Sequence, residues 1–338
     1  MNPFESRQVG QTDLHVTRLG FGGAPLADRS QVTPNAQSDA TLEAAYAAGI
    51  RFFDTSPWYG NGKSEHRLGH VLQEKPRDSF VLTTKVGRLF FRPADFEALR
   101  PRLSGNEYAF DYRFDYTREA VLRSYEDSLH RLGMPVVDAL LIHDLDRHSC
   151  PTDEAMAARF GELEAGGGYA ALQELKARGE IKAVGAGINH AGMIPLFLER
   201  FDLDFFLVAM PYTLLSQESL EVDLRLCQER GVSVVIGAVF SSGILAGGTT
   251  YGYRAPEPAV VDKVRRVHAV CARHNVPVGA AALQFPLAHP TVVSIIPGSV
   301  SPEQVHQNIE WLQREIPTEL WTELKAEGLL HPEAPTPE

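Results

Sequence analysis

The stretch RFFDTSPWYGNGKSEHRLGHVLQEKPRDSFVLTTK, residues 51–85, decides the fold of this chain. It predicts a strand at Arg51–Thr55, a helix at Ser64–Gln73 and a second strand at Phe80–Lys85. The strand candidates are short, nearly continuous apolar runs, as expected for strands that are covered on both faces. A strand, a helix and a strand in this order predict a parallel pair joined by a right-handed crossover.

The same alternation extends from this stretch towards both ends of the chain. Further strands are predicted at Val16–Gly20, Ala139–His143, Ala183–Ala186, Phe205–Ala209, Ser233–Gly237 and Val292–Ile295. Further helices are predicted at Ser38–Ala48, Thr117–Leu132, Tyr169–Arg178, Ala191–Glu199, Gln217–Glu229, Ala259–Asn275 and Pro302–Leu312. Repeated strand–helix pairs in a chain of 338 residues predict the α/β class and a closed (β/α)8 TIM barrel. Residues 1–330 are expected to form this single domain, and residues 331–338 a mobile tail.

Two segments lie outside the repeating pattern. Residues Arg7–Val9 and Leu14–Val16 flank a Gly-Gln-Thr-Asp turn, which predicts an N-terminal β-hairpin across the floor of the barrel. A long insertion of residues 87–116 follows the third strand and is rich in aromatic residues and arginine. A loop of this length at the mouth of a barrel is more often functional than not.

A doubly wound dinucleotide-binding fold is the alternative architecture. The runs Gly20–Gly23 and Gly185–Gly187 each supply two glycines of the G-x-G-x-x-G pattern. The position of the third glycine is occupied by Pro25 in one run and by His190 in the other. Both runs serve equally well as tight turns after strands, so the sequence favours the barrel.

Charge and cysteine usage exclude several classes of protein. The chain has 32 basic and 43 acidic residues and a formal net charge of −11, which disfavours binding to nucleic acid or to an anionic membrane surface. Neither a secretory signal nor a membrane-spanning segment is recognisable. Cys150, Cys227 and Cys271 lie far apart, which is typical of reduced thiols in a cytoplasmic protein. His66 and His70 have no evident third ligand, so no metal is expected.

Polar residues stand at the ends of three consecutive predicted strands. Asp54 ends the second strand, Lys85 the third and His143 the fourth, while Tyr59 follows Asp54 in the next loop. Because the chemistry of a barrel takes place at the carboxyl ends of its strands, we expect these side chains to meet at one mouth. Each residue alone has an ordinary explanation as a helix cap, a loop aromatic or a polar strand end. The four together indicate a catalytic site.

These four residue types suit proton transfer. A phenol with a pKa of about 10 is a poor base at neutral pH, and a neighbouring ammonium lowers that pKa. A carboxylate behind the ammonium keeps it charged and oriented, and an imidazole can orient a substrate oxygen. The combination predicts that Tyr59 exchanges a proton with a hydroxyl or a carbonyl while another group moves the hydride.

Over almost its whole length the chain resembles the aldo-keto reductases. The matching stretches are Leu19–Gly23, Phe53–Gly60, Thr83–Lys85, Ser128–Asp138 and Leu141–Asp144. The resemblance implies a TIM barrel that binds a nicotinamide nucleotide, and it places the family's catalytic tetrad on Asp54, Tyr59, Lys85 and His143. It implies a cofactor site made of Gly22, Asn189, Ser241, Gly243, Leu245, Gly298, Ser299, Gln304 and Asn308.

Parts of that cofactor site depart from the family pattern. Asn189 matches the residue that holds the nicotinamide carboxamide, but Ala209 stands where the family usually has Gln, ahead of Tyr212. Gly237 stands where the family has the aromatic that stacks on the nicotinamide. The run Phe240–Gly247 resembles the loop that binds the pyrophosphate, where small residues let backbone N–H groups approach the phosphates.

The choice between NAD and NADP depends on the last strand and helix. NADP-using relatives place a Lys and an Arg around the 2′-phosphate, and the matching positions here are Gly298 and Gln304. Two missing cations should weaken the binding of a dianion. The sequence therefore predicts NAD as the preferred cofactor.

Within the family, the insertion and the Phe240–Ile244 segment resemble the aldose 1-dehydrogenases that act on L-fucose, L-galactose and other D-threo-type aldoses. This resemblance implies oxidation of an aldose hemiacetal to a 1,5- or 1,4-lactone, with Trp58, His143 and Phe90 at the substrate. The alternatives are a pyridoxal 4-dehydrogenase, an NADPH-dependent carbonyl reductase and a non-catalytic subunit that retains nucleotide binding. The expected partner is a small sugar or aldehyde, and the chain is expected to be a monomer or a small homo-oligomer.

Overall fold

Parallel strands form the central sheet of the structure, a computed structural model that describes residues 1–28, 32–103 and 105–338. In chain order the sheet contains β3 (Phe21–Gly22), β4 (Phe52–Asp54), β5 (Val81–Val86), β8 (Ala139–His143), β9 (Ala183–Ile188), β10 (Phe205–Ala209), β11 (Ser233–Gly237) and β12 (Val292–Ile295). Each strand pairs with the next one along the chain, as right-handed crossovers require.

Hydrogen bonds between the first and last of these strands close the sheet. The N–H of Gly20 donates to Ile295 O at 2.8 Å, and the N–H of Ile295 donates to Arg18 O at 2.9 Å. The N–H of Gly22 continues this seam to Pro297 O at 3.2 Å. The predicted (β/α)8 barrel is confirmed, and the doubly wound alternative is wrong because its sheet would remain open.

Helices cover the outside of the barrel. They are α1 (Asn35–Ala47), α2 (Lys63–Leu72), α3 (Phe96–Leu99), α4 (Arg118–Leu132), α5 (Asp153–Glu164), α6 (Gly168–Ala177), α7 (Met193–Leu198), α8 (Arg225–Arg230), α9 (Pro258–Arg273), α10 (Val278–Gln284), α11 (Pro302–Gln313) and α12 (Thr318–Ala326). A π-helical turn at Leu220–Leu224 precedes α8 within the predicted helix Gln217–Glu229. The side chain of Ser301 caps α11 by accepting the N–H of Gln304.

The N-terminal hairpin is present, and it takes part of the sequence assigned to the first barrel strand. Its strands β1 (Ser6–Gln8) and β2 (His15–Thr17) pair antiparallel, with Arg7 opposite Val16. The prediction of a barrel strand at Val16–Gly20 is therefore wrong at its start, because Val16 and Thr17 pair within the hairpin, whereas Leu19 forms a parallel bridge with Ile295 of β12. The regular strand β3 begins at Phe21, after this bridge.

The hairpin covers the end of the barrel that lies opposite the polar strand ends. The N–H of Gly10 donates to Oγ of Ser233, the first residue of β11, at 2.8 Å. Apolar side chains of the hairpin and of the barrel interior form one buried cluster. Its members include Val9, Leu14, Val16, Phe52, Leu141, Phe205, Leu207, Val235 and Val293. This cluster fills the lower barrel, so open space can exist only towards the carboxyl ends of the strands.

The insertion of residues 87–116 forms a second hairpin at the mouth. Its strands are β6 (Arg88–Phe91) and β7 (Asp111–Phe114), and α3 lies between them. The segment before β7 is fastened to the loop that follows β4, where the N–H of Tyr108 donates to Gly60 O at 3.1 Å and Asn61 Nδ2 donates to Tyr108 O at 2.9 Å. The insertion is therefore attached beside the loop that carries Tyr59.

Three further expectations from the sequence concern the cysteines, membrane-spanning helices and the C-terminal tail. Cys150, Cys227 and Cys271 are free, buried thiols. Across the described ranges, every helix is too short or too polar to cross a membrane. The division into residues 1–330 and a mobile tail stays a prediction. In the structure, Ala334 of that tail is buried.

Candidate active site

The four candidate catalytic residues gather at one mouth of the barrel. Asp54 is the last residue of β4, His143 is the last residue of β8, and Lys85 lies near the end of β5 between them. Asp54 and Lys85 are each 1% exposed, His143 is buried and Tyr59 is half-buried. Because the strands are parallel and adjacent, the fold itself brings together residues that are far apart in sequence.

Lys85 and Asp54 form a buried ion pair with further support. The Lys85 Nζ lies 2.8 and 2.7 Å from the two carboxylate oxygens of Asp54, and it donates to Thr55 O at 2.7 Å. The Thr83 hydroxyl also donates to the Asp54 carboxylate at 2.8 Å. Removing either charge would leave the other buried without its partner, so the pair fixes the position of the ammonium.

Tyr59 lies against this ion pair and against the imidazole. The Lys85 Nζ is 4.9 Å from the centre of the Tyr59 ring, and the rings of Tyr59 and His143 meet edge to face at 5.9 Å. Burial raises the pKa of Tyr59 well above 10, with the carboxylate of Asp54 acting in the same direction. The lowering of this pKa by Lys85 stays a prediction. Tyr59 is a neutral phenol here.

The hydrogen bonds around His143 define its tautomer. Ser56 Oγ accepts the backbone N–H of Trp58 at 3.0 Å and lies 3.0 Å from His143 Nδ1. Arg88 Nη1, which can only donate, also lies 3.4 Å from Nδ1, so we assign Nδ1 as the acceptor of both groups and place the proton of the neutral ring on Nε2. Burial lowers the pKa of His143 to about 3, and the ammonium of Lys85 contributes in the same direction. The ring is a neutral donor at its Nε2.

Two charged residues beside His143 were not identified from the sequence. Arg88, the first residue of β6, is 5% exposed, and its Nη2 donates to Asp144 Oδ2 at 2.7 Å. Asp144 directly follows β8 and has a left-handed backbone with φ 53°. Arg88 and Asp144 could have been identified as candidates because each is a charged residue close to the end of a barrel strand. Their pairing depends on the path of the insertion, which the sequence pattern does not give.

Asn189 is held in one orientation by two carboxylates. Its Nδ2 donates to Asp144 Oδ1 and to Asp146 Oδ2, both at 3.0 Å, and its backbone N–H donates to Asp146 Oδ2 at 2.8 Å. Both amide protons are thus engaged, which leaves Oδ1 as the group that can accept a hydrogen bond. An acceptor at this place fits the carboxamide N–H of a nicotinamide.

Small residues leave room for a flat ring beside the tetrad. A Cβ added to Gly187 would lie 3.5 Å from His143 Cδ2 and 3.6 Å from Lys85 Cε, so the glycine keeps that space open. A Cβ added to Gly237 would lie 3.1 Å from Leu207 Cδ2 and 3.8 Å from the Cβ of Ala209. The binding of a nicotinamide ring beside these three small residues and Asn189 Oδ1 stays a prediction.

The loop expected to bind the pyrophosphate follows β11. Ser241, Ser242 and Gly243 have left-handed backbones, with φ of 50°, 62° and 99°. The Ser241 hydroxyl is buried and lies 3.0 Å from Thr213 Oγ1. The N–H groups of Gly243 and Leu245 donate to Phe240 O within the loop. In this conformation those two N–H groups hold the loop together, and their predicted contact with phosphates stays a prediction.

The residues expected around the adenosine lie at the closing seam. A Cβ on Gly22 would lie 2.6 Å from Ile296 O, and one on Gly298 would lie 2.3 Å from Pro25 Cγ, so both positions require glycine. The Ser299 hydroxyl accepts Asn308 Nδ2 at 3.2 Å. Gln304 Oε1 accepts the N–H of Val300 at 2.9 Å. These side chains are neutral, as expected from the sequence.

The expected substrate residues share an aromatic neighbour. Trp58 and Tyr112 meet edge to face with ring centres 4.7 Å apart, and Phe90 lies 6.2 Å from Tyr112. Tyr112 belongs to β7 and was not assigned to the site from the sequence. The insertion thus supplies an aromatic wall that continues from Trp58 to Phe90. Among the residues that the structure describes, no group of His, Cys, Asp or Glu is arranged to hold a metal ion.

Comparison with known proteins agrees with this geometry. The family model described as "Aldo/keto reductase family" matches residues 18–327. Pyridoxal 4-dehydrogenase of Microbacterium luteolum is 42% identical over 96% of this chain and 98% of that protein. D-threo-aldose 1-dehydrogenase of a Pseudomonas species is 37% identical over 96% of each. The solved holo form of an aldo-keto reductase from Bacillus halodurans has the same fold, with a TM-score of 0.75, 24% identity and coverage of 99% and 98% of the two chains. The chain belongs to the aldo/keto reductase family of nicotinamide-dependent oxidoreductases.

Proposed function

We propose that this enzyme oxidises the hydroxyl of a cyclic hemiacetal to a lactone, with an aldose of the D-threo or L-fucose type as substrate and NAD as acceptor. The contact of Tyr59 with both the Lys85–Asp54 ion pair and His143 carries the proposal. Support also comes from the similarity to an aldose 1-dehydrogenase and to a pyridoxal 4-dehydrogenase. Pyridoxal forms a cyclic hemiacetal too, so both substrates present the same reacting group.

Each residue of the tetrad has a part in the proposed reaction. The Nε2–H of His143 donates to the substrate hydroxyl oxygen and places it near the Tyr59 oxygen. After Tyr59 has released its own proton to solvent, the ammonium of Lys85, held by Asp54, stabilises the phenolate, and this phenolate takes the hydroxyl proton and becomes the neutral phenol again. The carbon gives up its hydrogen with the bonding electrons and becomes the lactone carbonyl. The nicotinamide, when bound, supplies the hydride acceptor, and Asn189 Oδ1 and the space beside Gly187 would hold it.

The aromatic wall suits a ring-shaped substrate. A pyranose stacks its C–H face on an aromatic side chain and directs its hydroxyls away from it. Trp58 and Phe90 are proposed to form this wall together with Tyr112. The pyridine ring of pyridoxal would stack on the same surface, so this feature supports pyridoxal as the second candidate.

A panel of free aldoses together with pyridoxal, followed by the absorbance of the reduced nicotinamide, tests the proposed activity. We expect NAD-dependent turnover of at least one hemiacetal and accumulation of the corresponding lactone. Turnover only of aldehydes or ketones towards the alcohol, with NADPH, would favour the carbonyl reductase instead. Cofactor binding without any turnover would favour the non-catalytic subunit.

The cofactor preference can be tested separately. Since Gly298 and Gln304 carry no charge near the proposed 2′-phosphate position, we expect kcat/KM to be higher with NAD than with NADP by roughly 100-fold. Gln304→Arg should raise kcat/KM with NADP and leave the value with NAD within about twofold. Gly298 is not suitable for the same substitution because a Cβ there would collide with Pro25. A wild-type preference for NADP would contradict the assignment.

A further inference from the structure

A buried arginine outside the tetrad lies against the candidate catalytic imidazole. The guanidinium carbon of Arg88 is 4.3 Å from the centre of the Trp58 ring and 4.4 Å from that of Phe114. Its Nη2 is paired with Asp144, and its Nη1 lies 3.4 Å from His143 Nδ1. The guanidinium is therefore enclosed by two rings, a carboxylate and an imidazole.

Placing a cation here has a cost that packing alone does not explain. The Nε of Arg88 is buried and has no hydrogen-bond partner among the described residues. An unpaired buried donor destabilises the fold, and an apolar side chain could fill the gap between two aromatic rings without that cost. The presence of an arginine here is better explained by the contacts of its Nη1 with His143 and of its Nη2 with Asp144.

The Nη1 contact concerns the nitrogen that determines the His143 tautomer. Nδ1 faces the Ser56 hydroxyl at 3.0 Å and the Arg88 guanidinium at 3.4 Å; the hydroxyl can donate or accept there, whereas the guanidinium can only donate. A guanidinium has no acceptor, so a proton on Nδ1 would face a cation and could be received only by the Ser56 hydroxyl. Arg88 therefore opposes both the protonated ring and the tautomer with its proton on Nδ1.

Other charged groups around His143 act on its protonation in opposite directions. The carboxylates of Asp144 and Asp146 favour the imidazolium, whereas the ammonium of Lys85 and the guanidinium of Arg88 oppose it. The Asp144 carboxylate also lies 3.5 Å from His143 Nε2, where it would attract a proton onto the ring. Arg88 neutralises the carboxylate that lies closest to the imidazole.

Asp144 connects Arg88 to Asn189, the residue expected to bind the nicotinamide. Its Oδ2 accepts Arg88 Nη2, and its Oδ1 accepts Asn189 Nδ2 at 3.0 Å. One carboxylate thus connects the guanidinium beside His143 to the amide that would orient the nicotinamide. Its left-handed backbone is maintained by these partners and by the bond from the Asp144 N–H to Gly187 O.

We propose that Arg88 is a positioning residue that keeps His143 neutral with its proton on Nε2 and that, through Asp144, holds this imidazole and Asn189 in fixed relative positions. The part concerning substrate orientation rests on the proposed function, in which His143 donates to the substrate oxygen. The part concerning the tautomer does not, because it is a property of the free protein.

Nitrogen NMR of histidine-labelled protein tests the tautomer without substrate. His143→Gln identifies the His143 signals by their disappearance. In wild-type protein we expect Nε2 protonated and Nδ1 unprotonated, without titration down to about pH 5. In Arg88→Ala we expect His143 either to begin to titrate above about pH 5 or to carry its proton on Nδ1. Identical tautomer and titration in both proteins would overturn the proposal.

Kinetics of the same variants test the positioning. Arg88→Ala should lower kcat about 10- to 100-fold, as for loss of a group that orients a catalytic side chain. Guanidinium ion at a non-denaturing concentration should restore kcat in a saturable way by entering the gap between Trp58 and Phe114. Unchanged kcat, or a loss that guanidinium does not restore, would contradict the positioning role.

Two further variants separate positioning from folding. Arg88→Lys keeps a cation for Asp144 but loses the planar fork, so we expect it to fold and to show an intermediate loss in kcat. Should Arg88→Ala not fold, Arg88→Lys with unchanged His143 signals and unchanged kcat overturns the proposal. The control is Arg113→Ala in the same hairpin, an exposed arginine that pairs with Asp115. It should remain within about twofold of wild type.

Failure of the two proposals can be distinguished. If the wild-type protein turns over none of the hemiacetals, the proposed substrate class is wrong, and the NMR comparison still decides the role of Arg88. If turnover is found and the NMR signals of His143 do not respond to Arg88→Ala, only the role of Arg88 is wrong.

Discussion

The proton on a buried imidazole affects stability as well as chemistry. Burial lowers the pKa of His143 to about 3, whereas its usual value is 6.5. As the pH falls below about 6.5, the unfolded chain takes up a proton that the folded protein does not, so the free energy of unfolding decreases. This stability is present above the unfolded pKa and is lost progressively towards the folded pKa.

We therefore expect His143→Gln to reduce the acid sensitivity of the fold. Between about pH 7 and about pH 5 the contribution of His143 to the loss of unfolding free energy should be about 2 kcal/mol. Urea denaturation at several pH values measures it. The control is His70→Gln, because the side chain of His70 is 70% exposed. Equal pH slopes for wild type and His143→Gln would contradict the assignment of a neutral buried ring.

Removing the Tyr59 hydroxyl tests the proposed proton transfer directly. Tyr59→Phe keeps the ring beside Lys85 and His143 but removes the only group proposed to accept the substrate proton. We expect kcat to fall at least about 1,000-fold while the dissociation constant of the cofactor, measured by fluorescence quenching, changes little. A variant that retains near-normal turnover would show that another group is the base.

The sequence predicted that the four candidate residues meet at one mouth because three of them stand at or near the ends of adjacent strands and Tyr59 lies in the loop after β4. It did not predict Arg88 or Tyr112, since both lie on the insertion, whose hairpin register decides which side chains face the mouth. In that register Arg88 pairs with Phe114 and Phe90 with Tyr112. A run rich in aromatics and arginines has many possible registers, and the periodicity of the sequence does not select one.

At the scale of elements, a buried ion cluster fastens the insertion to the barrel. Lys63, the first residue of α2, donates from its Nζ to Asp28 Oδ2 at 3.1 Å and to the carbonyl of Asn106. The Asn106 N–H in turn donates to Asp28 O at 3.3 Å. Arg67 pairs with both oxygens of the same carboxylate. The cluster connects the insertion to the helix that follows the Tyr59 loop.

Lys63→Met should loosen this attachment without unfolding the barrel. Because Asp28 retains Arg67, we expect folding to persist, while the amides of Asn106 and Tyr108 exchange with solvent at least about 10-fold faster. Hydrogen exchange measures the change, and kcat/KM should fall in parallel. Lys75→Met is the control, since Lys75 forms a comparable pair with Glu43 at the surface. Unchanged exchange in Lys63→Met would contradict the role of the cluster.

Most elements could be predicted because the hydrophobic pattern of a strand buried on both faces is strong. The strands Ala139–His143, Phe205–Ala209, Ser233–Gly237 and Val292–Ile295 were predicted with their observed bounds. The start of the first barrel strand could not be predicted, since β3 contains only two residues and its apolar run continues from the hairpin. The helices α5, α10 and α12 were not predicted because they are additional to the strand–helix alternation.

At the scale of the whole molecule, the seam between residues 18–22 and 295–297 decides whether the barrel closes. A Cβ at Gly22 would lie 2.6 Å from the backbone oxygen of Ile296, which has no freedom to move without breaking the seam. Gly22→Ala should therefore lower the free energy of unfolding by about 1–3 kcal/mol. Urea denaturation measures the change.

Gly161→Ala is the matched control for that substitution. Gly161 lies inside α5, and a Cβ there would meet nothing within 4 Å. Alanine in a helix is favoured over glycine by about 0.5–1 kcal/mol, so we expect this variant to be slightly more stable than the wild type. A Gly22→Ala protein that is as stable as Gly161→Ala would show that the seam tolerates a side chain.

The seam also has a consequence for how the chain reaches its native state. The hydroxyl of Ser294 donates to Thr17 O across a sequence separation of 277 residues. During synthesis, the edge of β3 that pairs with β12 therefore stays unpaired until β12 has left the ribosome. Such long-range pairing is slow and leaves strand edges open to wrong partners. Nascent chains that stop before residue 292 should consequently depend on chaperones in a way that the completed barrel does not.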